Sequence, residues 1–164
     1  MSTAHSVRPA TQADIPAILG FILELAEYEH LAHAVEITAA DLERDLFGPR
    51  PYAEALIACD GARPVGYALF FHSYSTFRGR PGVFLEDLYV TLSDRGRGHG
   101  KALLSAVAKL AVDGGCARLE WSVLDWNEPS IRFYRQMGAK PLEDWTVHRV
   151  DGEALAALAS LVPE

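Results

Sequence analysis

The stretch from Val83 to Leu110 limits the fold more than any other part of the chain. It opens on a strand-like apolar run, Val83-Phe84-Leu85-Glu86-Asp87-Leu88-Tyr89-Val90, interrupted by two adjacent carboxylates. After a short polar turn comes Arg95-Gly96-Arg97-Gly98-His99-Gly100-Lys101, and then Leu103, Leu104, Val107, Ala108 and Ala111 recur at helical spacing. Strand, glycine loop and helix in this order imply a helix that packs back onto a sheet. Glycines at alternate positions just ahead of a helix can turn a row of backbone N–H groups outward. With the positive end of the helix dipole, they make a cradle suited to a phosphate or pyrophosphate. The carboxylates upstream set a proton-handling group beside that cradle.

The rest of the pattern supplies the sheet. Ser6 to Pro9 reads as a first strand. Thr11-x-x-Asp14 is an acidic form of the capping box, and Ile15, Ile18, Leu19, Ile22, Leu25 and Ala26 give the following helix one apolar face. A second short helix is expected from Thr38 to Phe47, closed by Gly48-Pro49. Ala53 to Cys59 is a strand that stops at the hairpin signal Asp60-Gly61; Val65 to Tyr74 resumes, Phe77 to Gly82 turns, and Val83 to Val90 returns. These segments predict consecutive antiparallel strands. Ala117 to Leu124 reads as a further strand, Asn127 to Gly138 as a helix capped by Asn127, Trp145 to Val150 as a last strand and Glu153 to Leu161 as a terminal helix. The expected fold is α/β (α+β), a central mixed and mostly antiparallel sheet flanked by helices on both faces. Without repeats, low-complexity segments or a linker, residues 1–164 are expected to form a single domain.

Composition narrows the partners. The chain is 49% hydrophobic and 23% charged, enough to bury a core. Its net charge of −7 argues against nucleic acid or an anionic membrane as partner, although Arg95, Arg97 and Lys101 form a local basic patch. The acidic surface suits a cationic substrate, or simply serves solubility. Cys59 and Cys116 form no CxxC and read as reduced residues of a cytoplasmic protein. No apolar run approaches the ~20 residues that cross a bilayer, and no signal peptide is evident. The histidines are scattered without HExxH or Cys/His spacing, so no metal site is expected.

The glycine loop excludes two common phosphate binders. A Walker A loop requires Ser or Thr after Gly-Lys, whereas Ala102 follows Gly100-Lys101. The dinucleotide fingerprint requires a third glycine where Leu103 or Lys101 stands. What fits is Arg-x-x-Gly-x-Gly, Arg95 to Gly100. With this loop between strand and helix, and with Asn127-Glu128-Pro129-Ser130-Ile131-Arg132-Phe133-Tyr134-Arg135-Gln136-Met137-Gly138-Ala139 downstream, the chain resembles the GNAT N-acetyltransferases. Arg8-Pro9-Ala10-Thr11, Tyr28-Glu29, Leu85 to Val90 and Trp126 to Ser130 are similar to the diamine (spermidine/spermine-type) branch. Tyr74-Ser75-Thr76-Phe77-Arg78-Gly79-Arg80 is similar to its thialysine subgroup, with Phe77 in place of the usual Trp. The stretch from Lys140 to Asp144 is shorter than in that branch, and Lys101 stands where Ser is common.

The resemblance implies direct acetyl transfer from acetyl-CoA to a primary amine of a polyamine, diamine or thialysine-like amino acid. That chemistry requires loss of a proton by the amine, a donor for the carbonyl oxygen and reprotonation of the departing thiolate. Adjacent strand residues point to opposite faces unless a bulge intervenes, so at least one of Glu86 and Asp87 can face the amine. By resemblance Glu86 draws off the amine proton through water, Asp87 orients the ammonium, and Tyr134 is the general acid. Read from the strand alone, the two carboxylates could instead mark its surface end or a structural salt bridge, and spacing alone leaves Tyr134 as a core tyrosine. Leu88, Tyr89 and Val90 would offer backbone groups to the pantetheine; Arg95, Gly96, Arg97, Gly98, His99, Gly100 and Lys101 would cradle the pyrophosphate. Asn127 would bind the pantetheine arm or cap its helix, and Ser130 would join it on the cofactor side. Tyr28, Glu29, Glu120, Trp121 and Asp125 are candidates for the amine side, where carboxylates and aromatic faces receive a cation. The family also implies a homodimer, with Trp145 to Val150 a plausible interface. Three other readings stay open: a protein or peptide lysine acetyltransferase, a non-catalytic CoA-binding regulatory domain, and a nucleotide-binding protein using the same loop.

Overall fold

A computed structural model describes residues 5–163. The chain divides into two compact units, Met1–Leu124 and Asp125–Glu164. The first holds a five-stranded sheet in sequential order, β1 (His5–Pro9), β2 (Glu54–Asp60), β3 (Arg63–Ser75), β4 (Arg80–Val90) and β5 (Leu119–Trp121). The first four strands are antiparallel and β5 is parallel to β4, so the sheet is mixed and mostly antiparallel as expected. It carries α1 (Ile15–Tyr28), α2 (Ala39–Phe47) and α3 (His99–Asp113).

Alternation along β2 sorts the helices to the two faces. Ala55, Ile57 and Cys59 join Ile18 and Phe21 of α1, Leu42 of α2, Tyr67 of β3 and Tyr89 of β4 in one core. Leu56 and Ala58 are also buried and point the other way, where α3 packs across β1 to β4 and buries Leu103, Leu104, Val107 and Ala111. The helix starts follow from side-chain chemistry. Asp14 accepts from the backbone N and the Oγ1 of Thr11, and Thr38 and Asp41 bond reciprocally at the start of α2. Asp14 is buried and takes both guanidinium nitrogens of Arg8 at 2.7 and 2.8 Å. That pairing holds its carboxyl down at about 2.

Three boundaries differ from expectation. β3 runs on to Ser75 and pairs with Arg80, so the turn expected over Phe77 to Gly82 shrinks to residues 76–79, with Gly79 at φ 59°. β5 is three residues long because β4, its one partner among the described residues, stays in register with it over Val83–Leu85 alone. The strand expected from Trp145 to Val150 is absent: among the described residues no ladder reaches it, and Trp145 and Val147 are largely exposed. β propensity without a neighbouring strand does not make a strand.

At Gly66 two strands approach closely. A Cβ there would stand 2.5 Å from the carbonyl oxygen of Tyr89 and 3.1 Å from the Cα of Val90. Gly66→Ala is therefore expected to destabilise the protein by about 2 kcal/mol, read as a lower urea midpoint at unchanged slope.

The second unit contains α4 (Glu128–Gln136) and α5 (Gly152–Ala159). Asn127 caps α4 by accepting from the Ser130 backbone N, and Pro129 sits in the first turn, where no N–H is needed. The helix ends on Gly138 at φ 90°, with Gly138 N bonded to Arg135 O and Ala139 N to Tyr134 O. No helix among the described residues is long and apolar enough to cross a membrane.

Candidate active site

The site is built on an irregularity in β4. Leu69 pairs with Asp87 while the next residue, Phe70, pairs with Leu85, so Glu86 is an extra residue bulged out of the β3–β4 ladder. The bulge re-aims the acidic pair. Glu86 is exposed, whereas Asp87 turns inward, and the hydroxyl of the fully buried Tyr67 donates to its Oδ2 at 2.8 Å. The bulge also ends pairing with β5, so the far edge of Leu88, Tyr89 and Val90 has no ladder partner among the described residues.

The end of α1 faces this group. His30 adopts the left-handed conformation at φ 61°, His30 N bonds to Glu27 O and Leu31 N to Ala26 O. This closure stops the helix at Tyr28 and fixes Glu29 as its last cap. Glu29 is pushed upward from the ordinary carboxylate value, first by burial and then by the charge of Asp87. Asp87 is pushed upward by burial and by Glu86, while the Tyr67 hydroxyl pulls it down. Burial and the same carboxylates raise the Tyr67 phenol far above its usual range, so it stays a donor. One neutral donor and three acids thus share the space between α1, β3 and the bulge.

Below the bulge the chain turns into α3 through the glycine loop. Gly96 and Gly98 have φ of 75° and 91°, and a Cβ at either would meet nothing within 4 Å. The loop is open on that side, and its backbone N–H groups and the α3 N-terminus are what it offers an anion. The arginine side chains of the motif have internal partners. Arg95 Nε donates to Val90 O at 2.9 Å, and its guanidinium lies 4.8 Å from the ring centre of Tyr28 and 5.2 Å from that of Tyr89. Arg97 Nη1 pairs with Asp94 at 2.9 Å and Asp60 at 3.0 Å. The His99 side chain is buried, while Lys101 is exposed in the first turn of α3.

Other predicted residues fall elsewhere. The Glu120 carboxylate is held by Arg118 Nε at 3.0 Å. Trp121 lies in register with Leu85, one residue ahead of the bulge. Asp125, Asn127, Ser130 and Tyr134 belong to the second unit, where Asp125 is exposed and Asn127 buried. Tyr134 is half-buried, its ring centre 5.3 Å from that of Phe133. Sequence reasoning missed Tyr67, Asp94 and Arg63. Asp94 had a signal, since a carboxylate directly before the motif arginine can anchor the loop; Tyr67 had none. Among the described residues no group of three or more His, Cys, Asp or Glu is placed to hold a metal ion.

The family described as Acetyltransferase (GNAT) family matches residues 21–139, which span both the bulged strand and the glycine loop. The chain belongs to the GNAT acetyltransferases. A thialysine N-epsilon-acetyltransferase from Bos taurus is 40% identical, over 93% of this chain and 96% of that protein. An L-ornithine N5-acetyltransferase from Arabidopsis thaliana is 31% identical, over 94% of this chain and 88% of that protein. Among solved structures, an integron cassette protein from V. cholerae superposes with a TM-score of 0.79 at 23% identity, covering 94% of this chain and 97% of that one. This last likeness shows the fold alone. GNAT enzymes use acetyl-CoA, and the residues present fit it: the open glycine cradle suits a pyrophosphate, and the free strand edge at 88–90 suits amide groups of a pantetheine.

Proposed function

We propose that this GNAT acetyltransferase moves an acetyl group from acetyl-CoA to a primary amine of a small cationic substrate, a thialysine-like amino acid, diamine or polyamine. The observation that carries the reading is the half-buried acid pair Glu29 and Asp87 beside the bulged Glu86. A carboxylate pair withdrawn from water is costly unless a cation compensates it, and an alkylammonium is such a cation. Relatives that act on the side-chain amines of thialysine and ornithine support the same class.

When bound, acetyl-CoA would supply the acetyl group as an activated thioester. The residues of the chain divide the remaining work. Gly96 to Lys101 hold the pyrophosphate through backbone N–H groups, with Arg95 and Arg97 shaping the loop from inside. Leu88 to Val90 align the pantetheine by strand-like bonds, and by resemblance Asn127 and Ser130 also serve the cofactor. Asp87 and Glu29, with the Tyr28 ring, hold the substrate's charged end; by resemblance Glu120, Trp121 and Asp125 are further candidates for receiving it. An alkylammonium has a pKa near ~10, so only about one amine in a thousand is deprotonated at pH 7. Glu86, exposed on the bulge, draws off that proton through water. Tyr134 protonates the departing sulfur. In this reading the chain works as a single acetyltransferase in the cytoplasm, where Cys59 and Cys116, both free thiols, stay reduced. A homodimer would cover the exposed apolar residues Trp145, Val147 and Val150.

Thiol release from acetyl-CoA, measured against putrescine, spermidine, spermine, thialysine, lysine, ornithine, aminoglycosides and a lysine peptide, tests this directly. Small amines are expected to give a kcat/KM at least about tenfold above the peptide. A peptide preferred over every small amine would reverse the assignment to a protein lysine acetyltransferase.

A further inference from the structure

Tyr67 belongs to the acidic group by geometry and to no motif. Its side chain is fully buried and its ring stacks on Phe21 with centroids 5.7 Å apart. For that packing a phenylalanine would serve equally well. The hydroxyl is what calls for an explanation, because a buried phenol is retained only where it finds an acceptor. Its acceptor is Asp87 Oδ2, 2.8 Å away, on the strand opposite and two residues before Tyr89, the register partner of Tyr67. Asp87 is held in turn by the register, since the bulge at Glu86 directs it inward. With Oδ2 committed to Tyr67, Oδ1 is the oxygen left to accept from a substrate.

We propose that Tyr67 is a positioning and specificity-determining residue for the acetyl acceptor, its hydroxyl fixing Asp87 so that one carboxylate oxygen serves the protein and the other the ammonium end of the substrate. The inference rests on the amine-site reading above. A carboxylate locked in one orientation favours substrates whose charged end lies at one distance from the reacting nitrogen, whereas a rotating carboxylate accepts a range. The bond also favours the ionised form of Asp87, the form that binds a cation. Burial and the neighbouring Glu86 work against that form, and Glu29 is pushed upward in the same way. Tyr67 is the donor in this group that offsets them.

Tyr67→Phe, Asp87→Asn and the double variant test the inference on the full chain. Y67F is expected to raise KM for the preferred amine about tenfold, a hydrogen bond to a charged group, with KM for acetyl-CoA unchanged. The preference among amines of different length should narrow. The acid limb of kcat/KM for the amine should move to higher pH, because Asp87, which faces Glu29, Glu86 and Tyr67, loses the donor that favours its charge. D87N should raise the amine KM at least as much, and Y67F should add nothing in the D87N background. Melting temperatures near that of the parent show that Phe keeps the stack on Phe21. An unchanged amine KM and pH profile in Y67F, beside a large loss in D87N, overturns the inference and leaves the amine site standing. Additive losses also overturn it, since Tyr67 would then act apart from Asp87. An unaffected D87N overturns the amine-site reading and the inference with it.

Discussion

Glu86→Gln is expected to lower kcat about a hundredfold at pH 7, within the range that general bases contribute, while KM for acetyl-CoA stays within about twofold. Glutamine keeps the size and hydrogen-bonding reach of the side chain and removes its basicity. The bulge is what the proposed role rests on: an extra residue in β4 points outward while its neighbour Asp87 turns in. The defect should also depend on pH in a way that a folding defect cannot mimic. As pH rises toward ~10 the amine loses its proton in bulk water and the base becomes dispensable. The rate of the variant should therefore climb about tenfold per pH unit where the parent is flat, and the two curves should converge. Thiol release followed from pH 6 to pH 10 checks this. A constant ratio at every pH would remove Glu86 from proton transfer and pass that role to a water or to Asp87.

Much of this arrangement was legible in the residues, and the remainder was hidden for physical reasons. The capping pairs Thr11/Asp14 and Thr38/Asp41, the Asp60-Gly61 hairpin and the glycine loop all act within a few positions of themselves, so local sequence suffices to place them. The bulge depends on how β4 meets Leu69 and Phe70 of β3, and register is a property of two strands. For that reason the directions of Glu86 and Asp87 could be framed only as alternatives. Tyr67 lies twenty positions from Asp87. Only the folded sheet brings the phenol to the carboxylate. Arg95 and Arg97 show the opposite limit: the motif suggests two phosphate-binding side chains, and the fold directs both to internal partners. Trp145 to Val150 alternates like a strand, yet alternation does not supply a neighbour.

Asp94→Asn should weaken acetyl-CoA binding and the fold together. Asp94 is 2% exposed and lies between the end of β4 and the glycine loop. Its two oxygens accept from Arg63 at 2.9 and 3.0 Å, from Arg97 at 2.9 Å, and from the hydroxyls of Thr91 and Ser93 at 2.9 and 3.0 Å. Arg63 stands at the start of β3 and Arg97 also reaches Asp60 at the end of β2, so one carboxylate ties the loop to the far hairpin. An amide in its place can accept on one side only and presents an N–H₂ to guanidinium donors. The left-handed turns at Gly96 and Gly98 then lose their anchor, and KM for acetyl-CoA is expected to rise at least about tenfold, with the amine KM less affected. The pH dependence gives an independent check. The Arg63 guanidinium holds the Asp94 carboxyl well below the usual carboxylate range. A depressed carboxylate contributes stability above its unfolded value of about 3.9 and loses that contribution as pH falls through the lower folded value. The gap in melting temperature between parent and variant should therefore be widest near neutrality and shrink as pH drops below about 4. A gap that stays constant down to pH 2 would mean that the Asp94 charge is not what holds the loop.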